Sequence, residues 1–580
     1  MNLQAVSAPI ARTSAAPRPG QVELYPPVQL ATAPLRIGLL LDSATVPAWV
    51  ARIVTQIQAS RFATVTVVIL NAEPSPPRPL LSTRIRTRLR HLLYDRYTRR
   101  DSARVDDAES AFAPRDLRPL LDRAQWLDVV PKRRGHVHRF RSADLKRVSA
   151  SKPDLLLRFG FNILRGEILT LARYGIWSYH HDDSAEYRGG PAMFWEIHEN
   201  NPVTGTVLQK LGEELDAGEI LYRSHAATHS HSLAQNRNPA YWKASSFVLR
   251  CLRRLAEHGT VQVTAAEPCG KPLYRAPGNL QMARFLGRTA LRKTRIRLED
   301  RLRTPHWFVA WRQGGDRLDP TAPRMTGLRE LACPRGHFYA DPMLHEHDGQ
   351  PWLLVEDFDY ARGKGHLAAI PWGSDGPAGP AHTMLDLPVH LSYPFVFRWN
   401  NETYMVPESG AARRVSLFRA RSFPDHWEHV GDLLQGHRAV DATLHEHAGR
   451  WYLFANVCEA GGGTHDELFL FHAATPLGPF QPHPCNPIVS DVRRARPAGR
   501  LFRHGGRLIR PSQDCARGYG QALVFNEVLK LSPTRYHERP LRRLMPDWAP
   551  GLTGCHTYSR LGDIEVIDGK RPTWRHIVGA

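Results

Sequence analysis

Between Tyr174 and Leu221 the chain gathers side chains that can do proton chemistry. A short apolar run, Tyr174 to Tyr179, is followed at once by His180, His181, Asp182 and Asp183. The turn Tyr187-Arg188-Gly189-Gly190-Pro191 comes next, and Asp216 lies further on in a loop of small residues. An imidazole titrates near neutral pH, so His180 is the natural proton acceptor, and Asp216 can orient it or take a proton in its place. Ser178, two residues before His180, adds a hydroxyl. The cluster also carries metal-ligand types. However, adjacent residues of an extended segment point to opposite sides and do not share one ion, so no metal is expected.

A second set of carboxylates recurs later. Asp341 and Asp441 stand at equivalent places in ADPMLHEHDGQPWLLVED (340–357) and VDATLHEHAGRWYLFAN (440–456). Glu356, Glu408 and Asn456 share a place near the end of the following apolar run. Paired carboxylates are what glycoside hydrolysis uses. Acidic turn and cap residues also recur wherever a structural unit repeats, and both readings stay open. The repeated His345-Glu346-His347 and His445-Glu446-His447 fall just before equivalent turns, so repetition accounts for them without a metal.

The elements that must position these groups follow from periodicity. Leu35 to Leu41 is a continuous apolar run, Pro47 to Ala59 has helical spacing, and Ala63 to Leu70 is β-branched. That is a β-α-β unit, and it implies a parallel sheet covered by helices. Pro153 to Phe161 reads as another buried strand, Ile163 to Arg173 as a helix, and Ala240 to Glu257 as a helix stopped by Gly259. A strand ending in ionisable residues and completed by a loop is how open α/β sheets build their sites. No GxGxxG follows the first strand, so dinucleotide binding gains no support.

From about Trp307 onward the pattern changes to short strands joined by tight turns, with starts about 50 residues apart, the spacing of four-stranded propeller blades. Five such units predict a five-bladed β-propeller. The fold expected is therefore multidomain: a tail without fixed structure at 1–33, an α/β Rossmann-like parallel sheet at 34–263, a basic linker or helix at 264–304, and an all-β propeller at 305–580.

Composition narrows the function classes. The net charge of +21 comes mainly from arginine spread along the chain. The densest run, Thr83 to Arg104, is read as an amphipathic helix with a solvated arginine face rather than a nucleic-acid or membrane helix. Seven scattered cysteines with no CxxC spacing indicate neither a disulfide framework nor a zinc site. No stretch reaches the roughly 18 apolar residues of a membrane span, and the first residues lack a signal-peptide core, so a cytoplasmic location is expected.

Three phrases carry a family resemblance: Gly175-Ile176-Trp177-Ser178-Tyr179-His180, then Tyr187-Arg188-Gly189, then Leu215-Asp216-Ala217-Gly218-Glu219-Ile220. Together they resemble the signature of the folate-dependent formyltransferases, and the similarity spans about Leu35 to Thr260. The resemblance implies 10-formyltetrahydrofolate as formyl donor, with His180 and Asp216 assisting loss of the acceptor's amine proton. Ser178 stands where the family carries an oxyanion-stabilising Asn, so a hydroxyl replaces an amide. Asp182, Asp183, Tyr187, Arg188 and Gly189 fall on the substrate-side loop. The phrases HLSYPFVF (390–397), SDVRRARPAGRLF (490–502) and RPSQDC (510–515) resemble the propeller domain of plant glucosamine inositolphosphorylceramide transferases. In those proteins glycosyl transfer belongs to another domain, so that activity does not carry over.

The expected function is formyl transfer to the amine of an amino sugar or glycan precursor, with a carbohydrate-associated propeller holding Asp341, Glu356, Glu408 and Asp441. The alternative is a drifted formyltransferase scaffold carrying a glycan-binding or glycoside-cleaving propeller. Nucleic acid is not an expected partner.

Overall fold

The computed structural model describes residues 22–30, 33–74, 81–214, 218–315, 317–459 and 461–575. The chain divides into two units, one built from residues 27–224 and 228–290, the other from residues 291–575 with the short runs 22–26 and 225–227.

In the first unit the apolar run becomes β1 (Leu35–Leu41), followed by α1 (Ala48–Ala59) and β2 (Ala63–Asn71). Two basic helices come next, α2 (Leu81–Arg90) and α3 (Leu92–Ser102). Then follow β3 (Gln125–Val129), β4 (Leu155–Arg158) and β5 (Ile176–His180). The unit continues through α4 (Phe194–Glu199), β6 (Val203–Lys210), β7 (Glu219–Ala227), α5 (Leu233–Ala244) and α6 (Phe247–His258). It ends in the first half of α7 (Asn279–Leu302).

The sheet order is β7-β6-β5-β4-β1-β2-β3. The five strands from β5 to β3 run parallel, and β6 is antiparallel to β5. β1 is buried on both faces, as the apolar run predicts. Ile37, Leu39 and Leu41 pack with Trp49, Ile53 and Ile57 of α1 and with α6, while Leu40 joins Val67, Ile69, Phe140 and Leu156 on the other side.

Strand order reverses between β1 and β4, the place where open α/β sheets leave a crevice at their carboxyl ends. The chain runs very close there. A Cβ on Gly160, just past β4, would lie 2.3 Å from the amide nitrogen of Asp42, so only glycine fits.

Two expected helices differ from the structure. Residues 163–173 form a short strand and the single helical turn Ile168–Leu171, because Gly166 between them sits at φ +81°, outside the helical region. The helix expected over 240–257 is two helices. They part at Ser245 and Ser246, whose hydroxyls turn back to the carbonyls of Trp242 and Lys243 at 2.6 and 2.9 Å. Gly259 ends α6 at φ +70°, as predicted.

The second unit is the five-bladed propeller. Blade 1 is built on strands His337–His347, Gln350–Asp359, Lys364–Gly373 and His382–Leu385. Blade 2 uses Ser392–Trp399, Glu402–Glu408, Arg414–Ser422 and His426–Gln435, and blade 3 starts from Ala439–His447 and Arg450–Val457. Blade 4 is Phe502–His504, Arg507–Asp514, Ala522–Leu531 and Tyr536–Leu544.

Blade 5 closes the ring. Its strands Tyr558–Leu561 and Ile564–Trp574 are completed by Arg303–Gln313 from the start of the unit, paired from Arg303 opposite Trp574 to Gln313 opposite Ile564. Joining the two ends of the repeat removes its free sheet edges. Residues 22–26, assigned to a tail by composition, belong with this unit. Leu24 is buried in its core, the carbonyl of Val22 accepts from His437 at 2.8 Å, and the Tyr25 hydroxyl donates to Glu459 at 2.5 Å.

Candidate functional site

The carboxyl ends of β4 and β5 bring together three groups of the α/β unit. Ser178, 2% exposed, accepts a hydrogen bond at Oγ from Arg158 Nη1 at 3.0 Å. Arg158 also donates from Nη2 to the carbonyls of Phe161 and Asn162, at 2.8 and 3.1 Å. Its Nε is buried with no hydrogen-bond partner. Burial lowers the pKa of this guanidinium, and the Asp42 carboxylate opposes that shift. His180 turns Nδ1 to the carbonyl of Asp182 at 3.0 Å. A carbonyl can only accept, so this contact puts the proton on Nδ1 and the lone pair on Nε2.

Arg158 is a site residue that the motif reading missed. The signal was there: one cation in the otherwise apolar run LLLRFGF.

The loop after His180 has a different character. Asp182, 5% exposed, accepts at Oδ1 from the amide of Met193 at 2.6 Å and so holds Met193 at φ +61°, immediately before α4. Glu196, in the first turn of α4 and 1% exposed, stands beside it. Burial, and then the neighbouring Glu196, push the Asp182 carboxyl well above the carboxylate range. Burial pushes Glu196 up to about 7, against the relief of its contact with Asp182. Two carboxyls sharing a dry site cannot both ionise at neutral pH, so the pair holds a proton.

His181 stacks on Tyr241 with ring centroids 3.6 Å apart and lies parallel to Tyr179 at 5.4 Å. Burial drives its pKa well down, so the ring is neutral, and neither nitrogen has a hydrogen-bond partner.

Asp183 serves the loop. Its Oδ1 accepts from Ala185 N at 3.1 Å and its Oδ2 faces Arg223 Nε at 3.6 Å. Gly205 of β6 lets the loop cross, since a Cβ there would meet Asp183 Cβ at 2.5 Å. The buried Tyr187 donates to Glu199 Oε2 at 3.0 Å, and the Lys271 ammonium lies 3.9 Å above its ring centroid. Arg188 and Gly189 form a short parallel pairing with Leu273 and Tyr274. Asp183, Tyr187, Arg188 and Gly189 therefore build the wall behind the strand end, while Ser178, His180 and Asp182 sit at it. Asp216 lies outside the described residues.

In the propeller, Asp341, Tyr393 and Asp441 are the same position on three blades. Each has a left-handed backbone (φ +49°, +49° and +53°) and sits in a bulge on the first strand. The residue before each pairs with Glu356, Glu408 or Asn456 respectively, so the predicted equivalence of those three positions is the register of the blades.

The bulged carboxylates are fully engaged across blades. Asp341 accepts from Thr557 Oγ1 at 2.7 Å and from Tyr393 N at 3.2 Å. Asp441 takes Arg496 through Nε and Nη2 at 2.5 and 3.0 Å, and Gln513 Nε2 at 2.9 Å. Burial first, then Asp341 and Glu408, push Glu356 well up, and burial with Asp441 beside it takes Glu408 up to about 7.

Among the described residues one trio, Asp341, His556 and Asp568, brings three ligand-type atoms within 4.8 Å of one another. Their lone pairs are already directed at protein donors. Asp568 accepts from the amides of His556 and Thr557 at 2.7 and 3.1 Å, as well as from the His556 ring. Burial works against the charge on His556, but Asp568 and Asp341 outweigh it and raise the pKa of the ring. The paired His345/His347 and His445/His447 lie at the hairpin ends of blades 1 and 3. Burial lowers His345 to about 3 and His445 to about 4.

Comparison with known proteins divides along the same boundary. Residues 326–547 match the profile of the family described as glucosamine inositolphosphorylceramide transferase 1, N-terminal. Glucosamine inositolphosphorylceramide transferase 1 of Oryza sativa subsp. japonica is 34% identical over 209 residues, 35% of this chain and 28% of the relative, so the chain spans under a third of that protein's length. Methionyl-tRNA formyltransferase of Anaeromyxobacter dehalogenans is 26% identical over 195 residues, 32% of this chain and 59% of the relative. Among solved structures, glycinamide ribonucleotide transformylase 1 from Symbiobacterium toebii aligns with a TM-score of 0.28 at 17% identity, covering 40% of this chain and 94% of that one. The chain thus joins a formyltransferase-like α/β domain to a five-bladed propeller that matches the N-terminal part of glucosamine inositolphosphorylceramide transferase 1.

Proposed function

We propose that this is a transferase acting on a glycan, and that its α/β unit moves a formyl group to the amine of an amino sugar. The observation that carries the reading is the orientation of His180. With Nδ1 committed to the Asp182 carbonyl, Nε2 is left as a base at the end of β5, the strand end where Arg158 donates to Ser178. The buried, unmatched Nε of Arg158 suits an oxygen-bearing ligand there.

10-Formyltetrahydrofolate, when bound, supplies the formyl group. His180 Nε2 takes the proton that the acceptor amine loses. Arg158 Nε would give its hydrogen to the formyl oxygen. Ser178, whose Oγ accepts from Nη1 at 3.0 Å and whose hydroxyl donates to the Tyr179 carbonyl at 3.4 Å, holds the guanidinium in place. A guanidinium then takes over the part an amide donor would play. Asp216 would keep the supporting role that the resemblance gives it. An amino sugar is favoured over tRNA as acceptor because the propeller's relatives carry glucosamine in their name.

The test is turnover. Purified protein with 10-formyltetrahydrofolate and a panel of nucleotide-linked amino sugars should release tetrahydrofolate, and His180→Ala should abolish the release. Neither release nor folate binding would sink the reading.

One observation favours a second reading, in which the propeller only binds glycan. Asp341 and Asp441 are both consumed by neighbouring blades, an arrangement suited to holding a shape and not to protonating a glycosidic oxygen. On a glycan array Asp341→Asn should weaken binding. Hydrolysis by the wild-type chain would overturn the binding-only view.

A further inference from the structure

Helix α2 has no buried residue. The amphipathic pattern in Thr83 to Arg104 led to the expectation of a helix with one face packed and the arginines outside, but α2 leaves its apolar face open as well. Leu81, Ile85 and Leu89 are 70%, 50% and 58% exposed, and Leu92 at the start of α3 continues the stripe at 40%. Their spacing of four, four and three residues places them on one side of a helix. At about 100° per residue, Arg84 and Arg88 border that stripe on one edge and Arg86 borders it on the other. No Asp or Glu occurs between Leu81 and Tyr94.

The first turns of α7 extend the surface. Asn279 donates to the Leu89 carbonyl at 2.7 Å and accepts from Leu93 N at 3.1 Å, which fixes α7 at the α2–α3 joint. The next residue, Leu280, is 66% exposed. Residues 279–290 add Arg284 and Arg288 and again contain no acid.

We propose that this surface docks the protein on an anionic lipid bilayer, a role separate from the transfer reading and independent of it. A ten-residue helix that buries no side chain among the described residues is marginal in water and gains order from a surface it lies on. A membrane interface accepts both halves of the pattern: aliphatic side chains enter the acyl boundary while arginines meet lipid phosphates. Nucleic acid would engage the arginines but has no use for four exposed aliphatic side chains. A second copy of the same face would set arginines against arginines.

Flotation of the full chain with vesicles tests this. Vesicles of three parts phosphatidylcholine to one part phosphatidylserine should carry the protein, and pure phosphatidylcholine should carry much less. Binding should fall steeply with added salt. Ile85→Glu with Leu89→Glu should weaken partitioning by about tenfold or more at unchanged thermal stability, because both side chains are already in solvent. Replacing Arg84, Arg86, Arg88 and Arg90 by Gln should remove the preference for phosphatidylserine. No flotation with either vesicle would overturn the proposal, as would flotation indifferent to both variant sets. Binding to a nucleic-acid duplex that the Glu substitutions leave intact, with no flotation, would replace it by a nucleic-acid role.

Discussion

The end of β5 and the channel face of the propeller are both rich in buried ionisable groups, yet they treat them in opposite ways. In the propeller three carboxylates are taken up by protein partners, Asp341 by Thr557 and Tyr393, Asp441 by Arg496 and Gln513, Asp568 by His556, although both amide atoms of the buried Asn456 have no partner. The links of Asp341 and Asp441 join different blades, while that of Asp568 lies within blade 5, so the first two carboxylates act as ties around a ring. In the α/β unit valences stay open, at Arg158 Nε, at both ring nitrogens of His181 and at both carboxyl oxygens of Glu196 apart from the shared proton. Burying an unmatched polar group costs on the order of 1–3 kcal/mol, which a fold tolerates where a ligand will supply the partner. The contrast gives Asp341, Asp441 and Asp568 a structural part and leaves the end of β5 as the candidate for chemistry, although the sequence presents both as suggestive acidic motifs.

Breaking a tie should produce the largest effect. Asp441→Ala leaves the Arg496 guanidinium buried without its partner, and the propeller should lose about 3–5 kcal/mol in urea denaturation. Asp441→Leu combined with Arg496→Leu should recover much of that loss, since removing both charges also removes the cost of desolvating them. If Asp441→Ala were silent in stability but abolished an activity, the roles assigned to the two regions would have to be exchanged.

The α/β site should respond in the opposite sense. Arg158→Met should lower turnover by about a hundredfold, the usual loss for one donor to a developing charge, and should lower stability by only about 1–3 kcal/mol through the Phe161 and Asn162 carbonyls it leaves without a donor. Arg158→Lys should recover only part of it, because an ammonium cannot reach Ser178 and the Phe161 carbonyl together. A KM effect without a kcat effect would place Arg158 in uniform binding and not in the transition state.

Glu196 gives a pH-dependent test. Its folded pKa of about 7 lies above the ordinary 4.5, so the folded state holds a proton that the unfolded state has released. Stability is then unaffected below about pH 4.5 and falls as pH rises toward 7, by about 3 kcal/mol over the window if Glu196 acts alone. Glu408, also raised to about 7, adds a fall of the same sign from the propeller. Glu196→Gln should flatten its own share of the decline and leave that of Glu408. A melting-temperature profile against pH with the same slope in wild type and variant would mean that the Asp182–Glu196 proton is not there.

Much of this arrangement can be read in the sequence where local rules decide it. Continuous apolar runs gave β1 and β2 almost to the residue, and the repeat gave five blades, because the periodicity of buried side chains is a local property. What escaped is what the chain assembles from a distance. The closing of blade 5 by Arg303–Gln313 depends on pairing residues about 250 to 270 positions apart, far beyond any window of periodicity. Arg158 stayed hidden because its partner Ser178 is on another strand, and Glu196 because Asp182 reaches it only through the turn at Met193. The bulged Asp341 and Asp441 were visible as a repeated residue, but their engagement by Arg496, Gln513 and Thr557 was not.

The smallest effect asks whether the ring owes its stability to those ties or to its turns. The hairpins of blades 1 to 4 turn through Asp348-Gly349, Asn400-Asn401, Ala448-Gly449 and Gly505-Gly506, all at positive φ, as a two-residue turn of the primed type requires. Ala448, at φ +52° and exposed, is the one alanine among residues suited to that conformation. Its Cβ crowds the following carbonyl, a strain that Asn or Gly tolerates, so Ala448→Asn or Ala448→Gly should stabilise the propeller by about 0.5–1 kcal/mol. That gain is several times smaller than the loss expected on cutting Asp441 from Arg496. If the turn substitution proved worth as much as the tie, the blades would be held by their own hairpins, and the buried carboxylates would need a different purpose.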